Sequence, residues 1–501
     1  MLVLSLDLGT SNLKGALYDL DGNEVAFKSL EYNLLLKAKG IVEVDVKEYW
    51  KKIVYIIRYL ISSINNNSEK IVAIVTSSQG ETIVPINKNG EPLYNAIVWI
   101  DERTKAEAEE ISKNFDVIEY FNKTGLPEVN FSWPATRILW FKKNEPEIFK
   151  NVFKFLLIED YIIFKLTGNF YGEATVYNGS YYFDILEFKF IEPILEYIGI
   201  TPNLLPKIQK PGSYVGDISI KASEETGLTR NTKVIIGAMD QFCGAIGAGN
   251  IKEGIATETT GSAFSMIVTT KNPIFNYDLK LPCYIHAIPG YYAIQPYSFT
   301  GGMVLKWFKD NFCSDEIKIA KKNNRDVFEI LDELAAKEPP GNDGLIMLPH
   351  LTGAFYPEYN PNAKAVFFGI GINHGKGNFV RAILEALGFM IRVYVESFKK
   401  LGININKIIS MGGGSKSDLW CQIKSDISNL IIEVPKYKET ALLGAAILAF
   451  LAIGAFDNIE KICNKFISFE KIYYPNKNNL ETYSNSFKKY KSLYYKLESL
   501  F

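Results

Sequence analysis

A short apolar strand, a turn of glycine and hydroxyl residues, and a second strand occur twice in this sequence, once at its start and once in its middle. In the first copy Leu2–Leu6 is apolar and β-compatible. Gly9 and Thr10 interrupt it, Gly15–Tyr18 resumes the pattern, and Asp21-Gly22 supplies a hairpin turn. From Ile255 to Val268 the same order returns around Thr259-Thr260-Gly261-Ser262. A unit repeated at such wide spacing predicts two related halves. The 501 residues suit two large α/β domains. The boundary is expected near Asn250–Gly254, giving domains of residues 1–250 and 251–501. No long Pro- or Ser-rich linker separates them, so the halves are expected to pack closely.

The segments around these units fix the class. Ile53, Ile56, Ile57, Leu60 and Ile64 lie at helical spacing and predict a helix over Val46–Ile64. Lys70–Thr76 is an almost unbroken apolar run, as expected of a strand buried on both faces. Val234–Gly237 reads as a short strand followed by a small-residue helix over Phe242–Gly249, and Asn479–Phe501 as a terminal surface helix. Such alternation is the pattern of an α/β fold.

Composition narrows the partners. Lys and Arg number 55 against 56 Asp and Glu, so no basic surface for nucleic acid is expected. The five cysteines and three histidines are scattered, which argues against a disulfide scaffold or a His/Cys metal site and fits a reducing cytoplasm. Asp7 interrupts the N-terminal apolar run before a signal-peptide core could form. The longest apolar run, Ala441–Phe456, is shorter than the roughly 20 residues needed to span a bilayer and predicts a buried helix. No membrane partner is expected.

Several short motifs can carry chemistry. Asp7-Leu8-Gly9-Thr10-Ser11 ends a buried strand. Its backbone N–H groups and hydroxyls suit phosphate oxygens, Lys14 adds a positive charge, and Asp7 is placed to hold Mg²⁺. An ordinary hairpin is the competing reading. Thr259–Ser262 is the second such turn, and two of them, one per half, would clamp a polyphosphate. Met411–Ser417 carries three glycines after a strand, allowing flat contact with a ligand ring or phosphate; a tight strand-to-helix turn is the alternative. It is not GxGxxG, and no Walker-type loop is present. Gly301-Gly302 reads as a further point of close approach or as a plain turn. Asp240, at the end of a buried strand, is either a base for a substrate hydroxyl or a helix N-cap. Gln79-Gly80-Glu81 and the Trp99–Arg103 run offer donors, acceptors and an aromatic face for a hydroxyl-rich substrate. Trp99 could equally be a core aromatic, and Asp101 with Arg103 a surface ion pair.

Taken in order, these motifs resemble the FGGY carbohydrate kinases, which include xylulokinases, ribulokinases, gluconokinases and glycerol kinases. Asp7–Lys14 looks like the family's first phosphate motif. Ser132–Asn144 resembles its first signature, with Arg137 where lysine is usual, and Ala365–Glu385 resembles its second. Gly344–Gly371 and Gly412–Ser428 are also similar, so the resemblance runs from Leu4 to Phe456.

The resemblance implies two actin-like (ribonuclease H-like) domains closing over a central ATP/sugar cleft. It implies Asp240 as catalytic base and Asp7 as the Mg²⁺-associated carboxylate. Gly9, Thr10, Ser11, Lys14, Thr260, Gly261, Gly302, Gly413, Gly414 and Ser417 are the expected ATP-binding positions. Gln79, Gly80, Glu81, Trp99, Asp101, Asp240 and Gln241 are the expected substrate positions.

Xylulokinases usually carry Gln-Met-His and glycerol kinases Gln-Arg-Glu where this chain has Gln79-Gly80-Glu81. Asn95–Thr104 leans to the glycerol kinases and Gly344–Gly371 to the pentulose and gluconate kinases. The expected activity is ATP-dependent phosphorylation of a primary hydroxyl on a small sugar or polyol. A ketopentose such as xylulose is the favoured substrate, and glycerol or another polyol the alternative. An actin-like ATPase without sugar chemistry is the reading from a different class. A homodimer is expected by family analogy.

Overall fold

A computed structural model describes all 501 residues. Two large sheets share one plan. In the first, Leu2–Leu8, Asn12–Asp19 and Glu24–Glu31 form an antiparallel meander. Ile71–Ser78 then pairs parallel to Leu2–Leu8, and Lys233–Met239 parallel to Ile71–Ser78. In the second, Ile255–Thr260, Phe264–Thr270 and Tyr292–Ile294 form the meander. Lys407–Met411 and Ile431–Pro435 add the parallel strands. Each sheet ends on a further antiparallel strand, Tyr214–Asp217 in the first and Phe469–Tyr473 in the second. The repeat read from sequence is thus a repeat of topology.

The expected elements form with modest shifts at their ends. The first helix runs Val46–Ser62 and turns Ile53, Ile56, Ile57 and Leu60 inward, while Asp45 caps it by accepting the Lys47 N–H. The apolar strand is Ile71–Ser78, buried along nearly its whole length. The terminal helix, Leu480–Leu497, is more than a surface helix. It buries Tyr483, Phe487 and Tyr490, whose rings pack on Phe389 of the long helix Lys376–Lys400. All five cysteines are unpaired and buried. No helix is long and apolar enough to cross a membrane.

Two helices join the halves. Asp240–Ala248 leaves the end of a first-sheet strand, yet its Phe242 ring packs on Tyr284 and His286, and Ala248 packs on Ile255 and Ile409 of the second sheet. Thr440–Ala452 lies late in the chain but packs on strands Leu2–Leu8 and Ile71–Ser78 of the first sheet. This is the buried helix expected over the longest apolar run. The two helices cross at glycines. A side-chain carbon on Gly247 would overlap the Thr440 carbonyl, and one on Gly444 would overlap the Cys243 carbonyl. The backbones therefore touch. Gly247→Val is expected to force them apart and cost about 1–3 kcal/mol or more as an overpacking change, read as a lower thermal midpoint by calorimetry.

Candidate active site

Residues from both halves line a cavity of about 340 Å³, at the small end of ligand pockets, which run from about 300 to 1,000 Å³. From the first half come Thr10, Gln79, Gly80, Glu81, Trp99, Asp240 and Gln241, each a position expected from sequence. Hydrogen bonds tie them together. The Trp99 indole donates to the Thr10 hydroxyl at 2.8 Å, and that hydroxyl donates to Gln79 Oε1 at 3.1 Å. Gln79 Nε2 donates to the Gly9 carbonyl at 3.2 Å, and Thr82 donates to Gln79 Oε1 at 3.0 Å. The first hydroxyl turn and the polar wall are thus one unit.

Three carboxyls sit on this side. Asp7 is buried at the end of its strand and accepts the Ser77 hydroxyl at 3.1 Å. Burial pushes it up to about 6, against the pull of Lys14. Burial and the charge of Asp7 push Asp240 up to about 7. Burial raises Glu81 to about 8, opposed by Arg137 and aided by Asp240. Asp240 is the first residue of its helix and Met239 the N-cap, so the capping role considered for Asp240 is not the one it fills.

Both hydroxyl turns leave some backbone N–H groups without a partner in the chain. The N–H groups of Thr10, Ser11 and Ser262 donate to no other atom of the chain. Gly261 lines the cavity beside Thr259 and Ser262. Thr260 points inward. Its hydroxyl donates to Glu258 Oε2 at 2.7 Å and accepts from Lys424 Nζ at 3.1 Å. Lys424 pairs with Glu258 at 2.5 Å, both side chains fully buried, and Ser410 donates to the same carboxylate.

Gly412 and Gly414 close over this cluster, because side chains there would strike the Thr260 carbonyl and Thr260 Cβ. Gly413 is exposed beside them. Gly302 makes room for the Gly261 carbonyl, to which its own N–H donates at 2.8 Å. Ser417 caps the helix Asp418–Ser428 by accepting the Trp420 N–H at 3.0 Å. Lys14 reaches across the halves to Glu439 at 2.6 Å.

One expected substrate position is corrected. Asp101 does not line the cavity, and it forms no surface pair. It is fully buried, and its two oxygens accept the Val42 N–H, the Arg103 N–H and the Arg103 guanidinium at 2.5–2.9 Å. Arg103 also reaches Glu43 at 3.0 Å. A carboxylate so fully bonded has no lone pair to offer a sugar.

Other lining residues were missed. Tyr284, Gln295, Tyr297 and Phe299 come from the second half, with Phe299 6.1 Å from the Trp99 ring. Their positions depend on sheet pairing, which leaves no local motif. Arg137 stood out only as a departure from lysine. Its buried guanidinium donates to the Glu81 carbonyl and, at 2.9 Å, to the Val98 carbonyl, so one side chain holds both substrate-facing loops. A lysine has a single donor centre for the two.

Comparison with known proteins agrees with this geometry. The model for the N-terminal domain of the FGGY family of carbohydrate kinases matches residues 2–247, and that for the C-terminal domain matches residues 259–453. The chain belongs to the FGGY family of carbohydrate kinases. It is 30% identical over 498 residues to a xylulose kinase of Staphylococcus epidermidis, covering 99% of this chain and 97% of that one. A ligand-bound xylulose kinase from Lactobacillus acidophilus has a TM-score of 0.90 at 26% identity, covering 99% and 98%. A glycerol kinase of Plasmodium falciparum with ADP has a TM-score of 0.88 at 25% identity, covering 97% of each chain.

The fold is therefore the two-domain, actin-like kinase fold. The activity is phosphotransfer to an alcohol of a small-molecule sugar-class acceptor, with ATP as donor. The ATPase reading without sugar chemistry gives way to it. Lys424→Met would strand a buried carboxylate beneath the second turn. It is expected to cost about 3–5 kcal/mol, seen as a lower unfolding midpoint. Adding Glu258→Gln should recover most of that loss.

Proposed function

We propose that this kinase transfers the γ-phosphoryl group of ATP to a primary hydroxyl of a small neutral sugar, a ketopentose such as xylulose. The observation that carries the reading is the arrangement within one cavity. The Asp240 carboxylate stands among Gln79, Glu81, Gln241 and the Trp99 face, and the free N–H groups of the hydroxyl turns open at its edge. The names of the similar xylulose kinases support the choice of acceptor.

Asp240 accepts the proton of the attacking hydroxyl. Trp99 stacks on the C–H face of the sugar. Glu81, held largely protonated near neutral pH, donates to a ketone or hydroxyl oxygen, and Gln241 adds a polar contact. The backbone N–H groups of Thr10, Ser11 and Ser262 hold the terminal phosphates. Gly413, Gly414 and Ser417 lie on the nucleotide side. Residues 1–250 thus carry the sugar and the first phosphate turn, and residues 251–501 the nucleotide.

Asp7 fits Mg²⁺, which takes oxygen ligands and needs only one or two carboxylates beside the phosphates. When bound, the ion neutralises charge on the phosphate oxygens. Lys14 would add to this on leaving Glu439. Closure of the two halves excludes water that would otherwise hydrolyse ATP. The five unpaired cysteines support a reducing, cytoplasmic setting. A glycerol or polyol kinase is the second reading, favoured by Glu81, since glycerol kinases usually carry a glutamate at this position.

The test is an ADP-release assay over xylulose, ribulose, glycerol, erythritol and gluconate, with product mass measured. Phosphorylated xylulose as the best product is expected. Gluconate should be poor, because its carboxylate meets Asp240. Selective phosphorylation of glycerol would move the assignment to the second reading. Asp240→Asn should abolish transfer while calorimetry shows ATP still binding; wild-type turnover would remove the base assignment. Only ionised Asp240 accepts a proton, so kcat/KM should fall tenfold per unit as pH drops below about 7.

A further inference from the structure

The strand that delivers Asp240 is irregular just before it does so. Lys233–Met239 runs in register with Ile71–Ser78 as far as Ile235 opposite Val75, and pairing resumes only with Ala238 opposite Ser77. Ile236 and Gly237 thus face Thr76 across a bulge. A bulge takes backbone groups out of the ladder, and in a buried strand they need other partners. Ile236 finds them in backbone, its N–H donating to the Ser213 carbonyl at 3.0 Å and its carbonyl accepting the Gly212 N–H at 2.9 Å, and two threonines hold the chain on from Gly237 to Met239. Gly237 N–H donates to Thr76 Oγ1 at 3.4 Å, and Met239 N–H donates to Thr175 Oγ1 at 2.8 Å.

Each hydroxyl then hands its own proton to a buried glutamate. Thr76 donates to Glu159 Oε1 and Thr175 to Glu173 Oε2, both at 2.6 Å. Glu173 also accepts the N–H groups of Thr175 and Val176, at 2.7 and 3.2 Å. All four side chains are fully buried, and none lines the cavity. The two pairs come from separate elements. Glu159 lies on the helix Ile158–Thr167, and Glu173 ends the strand Tyr171–Glu173. They meet only behind the backbone that carries Asp240.

Neither glutamate has a cation as hydrogen-bond partner. Two carboxyls in such a place cost stability that apolar side chains of the same size would not. We propose that Thr76–Glu159 and Thr175–Glu173 are positioning pairs, which clamp the bulge so that the Asp240 carboxylate is held at a fixed distance from the acceptor hydroxyl. This rests on the reading of Asp240 as the base. The pairs touch neither substrate nor nucleotide. Their effect falls on the chemical step, where a displacement of about 1 Å costs on the order of a hundredfold.

The test is steady-state kinetics of Thr175→Val, Thr175→Ser and Asp240→Asn in the full chain, with ATP and with xylulose or the better acceptor found in the screen. Valine keeps the shape but can neither accept the Met239 N–H nor donate to Glu173. Its kcat should fall about ten- to a hundredfold, with KM for ATP and for the acceptor near the wild-type values. Serine should restore most of the rate. A Thr175→Val enzyme with wild-type kcat, beside an inactive Asp240→Asn, overturns the clamp and leaves the base standing. A parallel rise in KM with unchanged kcat overturns it as well. Wild-type turnover in Asp240→Asn removes the base assignment and the clamp with it. Should Thr175→Val fail to fold, Thr76→Val carries the same comparison through the other pair.

Discussion

Where Gly247 and Gly444 meet, two helices cross with their backbones in contact, and everything in the cleft depends on that closeness. Thr440–Ala452 comes from the second half and packs on the first sheet, while Asp240–Ala248 comes from the first half and reaches the second through Phe242 and Ala248. The distance between the two hydroxyl turns is therefore set by backbone contact at the crossing rather than by side chains that could repack. Interiors this dense transmit displacement instead of absorbing it. The Lys14–Glu439 pair and the hydrogen bond from the Cys283 N–H to the Gly125 carbonyl are further bridges between the halves. The first sits on long side chains, which can yield when the halves move, whereas the second is backbone on backbone.

The cleft is backed by buried polar groups that do not themselves line the cavity. Lys424, Glu258, Ser410 and Thr260 support the second turn. Arg137 braces the Gln79–Glu81 loop against the strand before Trp99. The two threonine–glutamate pairs hold the bulge before Asp240. In a kinase the acceptor hydroxyl, the base and the transferring phosphorus must line up, so on the proposed reading rigidity behind Asp240 and beneath the second hydroxyl turn serves the reaction.

Much of this was legible in the residues. Strand–turn–strand order at Leu2–Tyr18 and Ile255–Val268 announced two related sheets, because the same order of apolar run, hydroxyl/Gly turn and apolar run recurs in both halves. Gln79, Glu81, Trp99 and Asp240 sat in recognisable runs and do meet in one cavity. Asp101 misled, because an acid beside an arginine reads the same whether the pair faces a sugar or closes on itself. Tyr284, Gln295 and Phe299 carried no signal, since a polar or aromatic residue on a strand or just beyond its end becomes a cavity wall only through its neighbours. Arg137 was noticed as unusual, but its partners are backbone carbonyls, and no side-chain pattern marks those.

The sequence alone determined the α/β class, the twofold repeat, the family and the two hydroxyl turns between strands. Those features rest on local spacing, hydrophobic period and residue type. Tertiary structure alone decided which polar residues face the cavity and which bond among themselves. It also decided that the two crossing helices join the halves. The physical reason is that a buried carboxylate or arginine must find its hydrogen-bond partners wherever the fold places them. In this chain those partners lie on elements far apart in sequence.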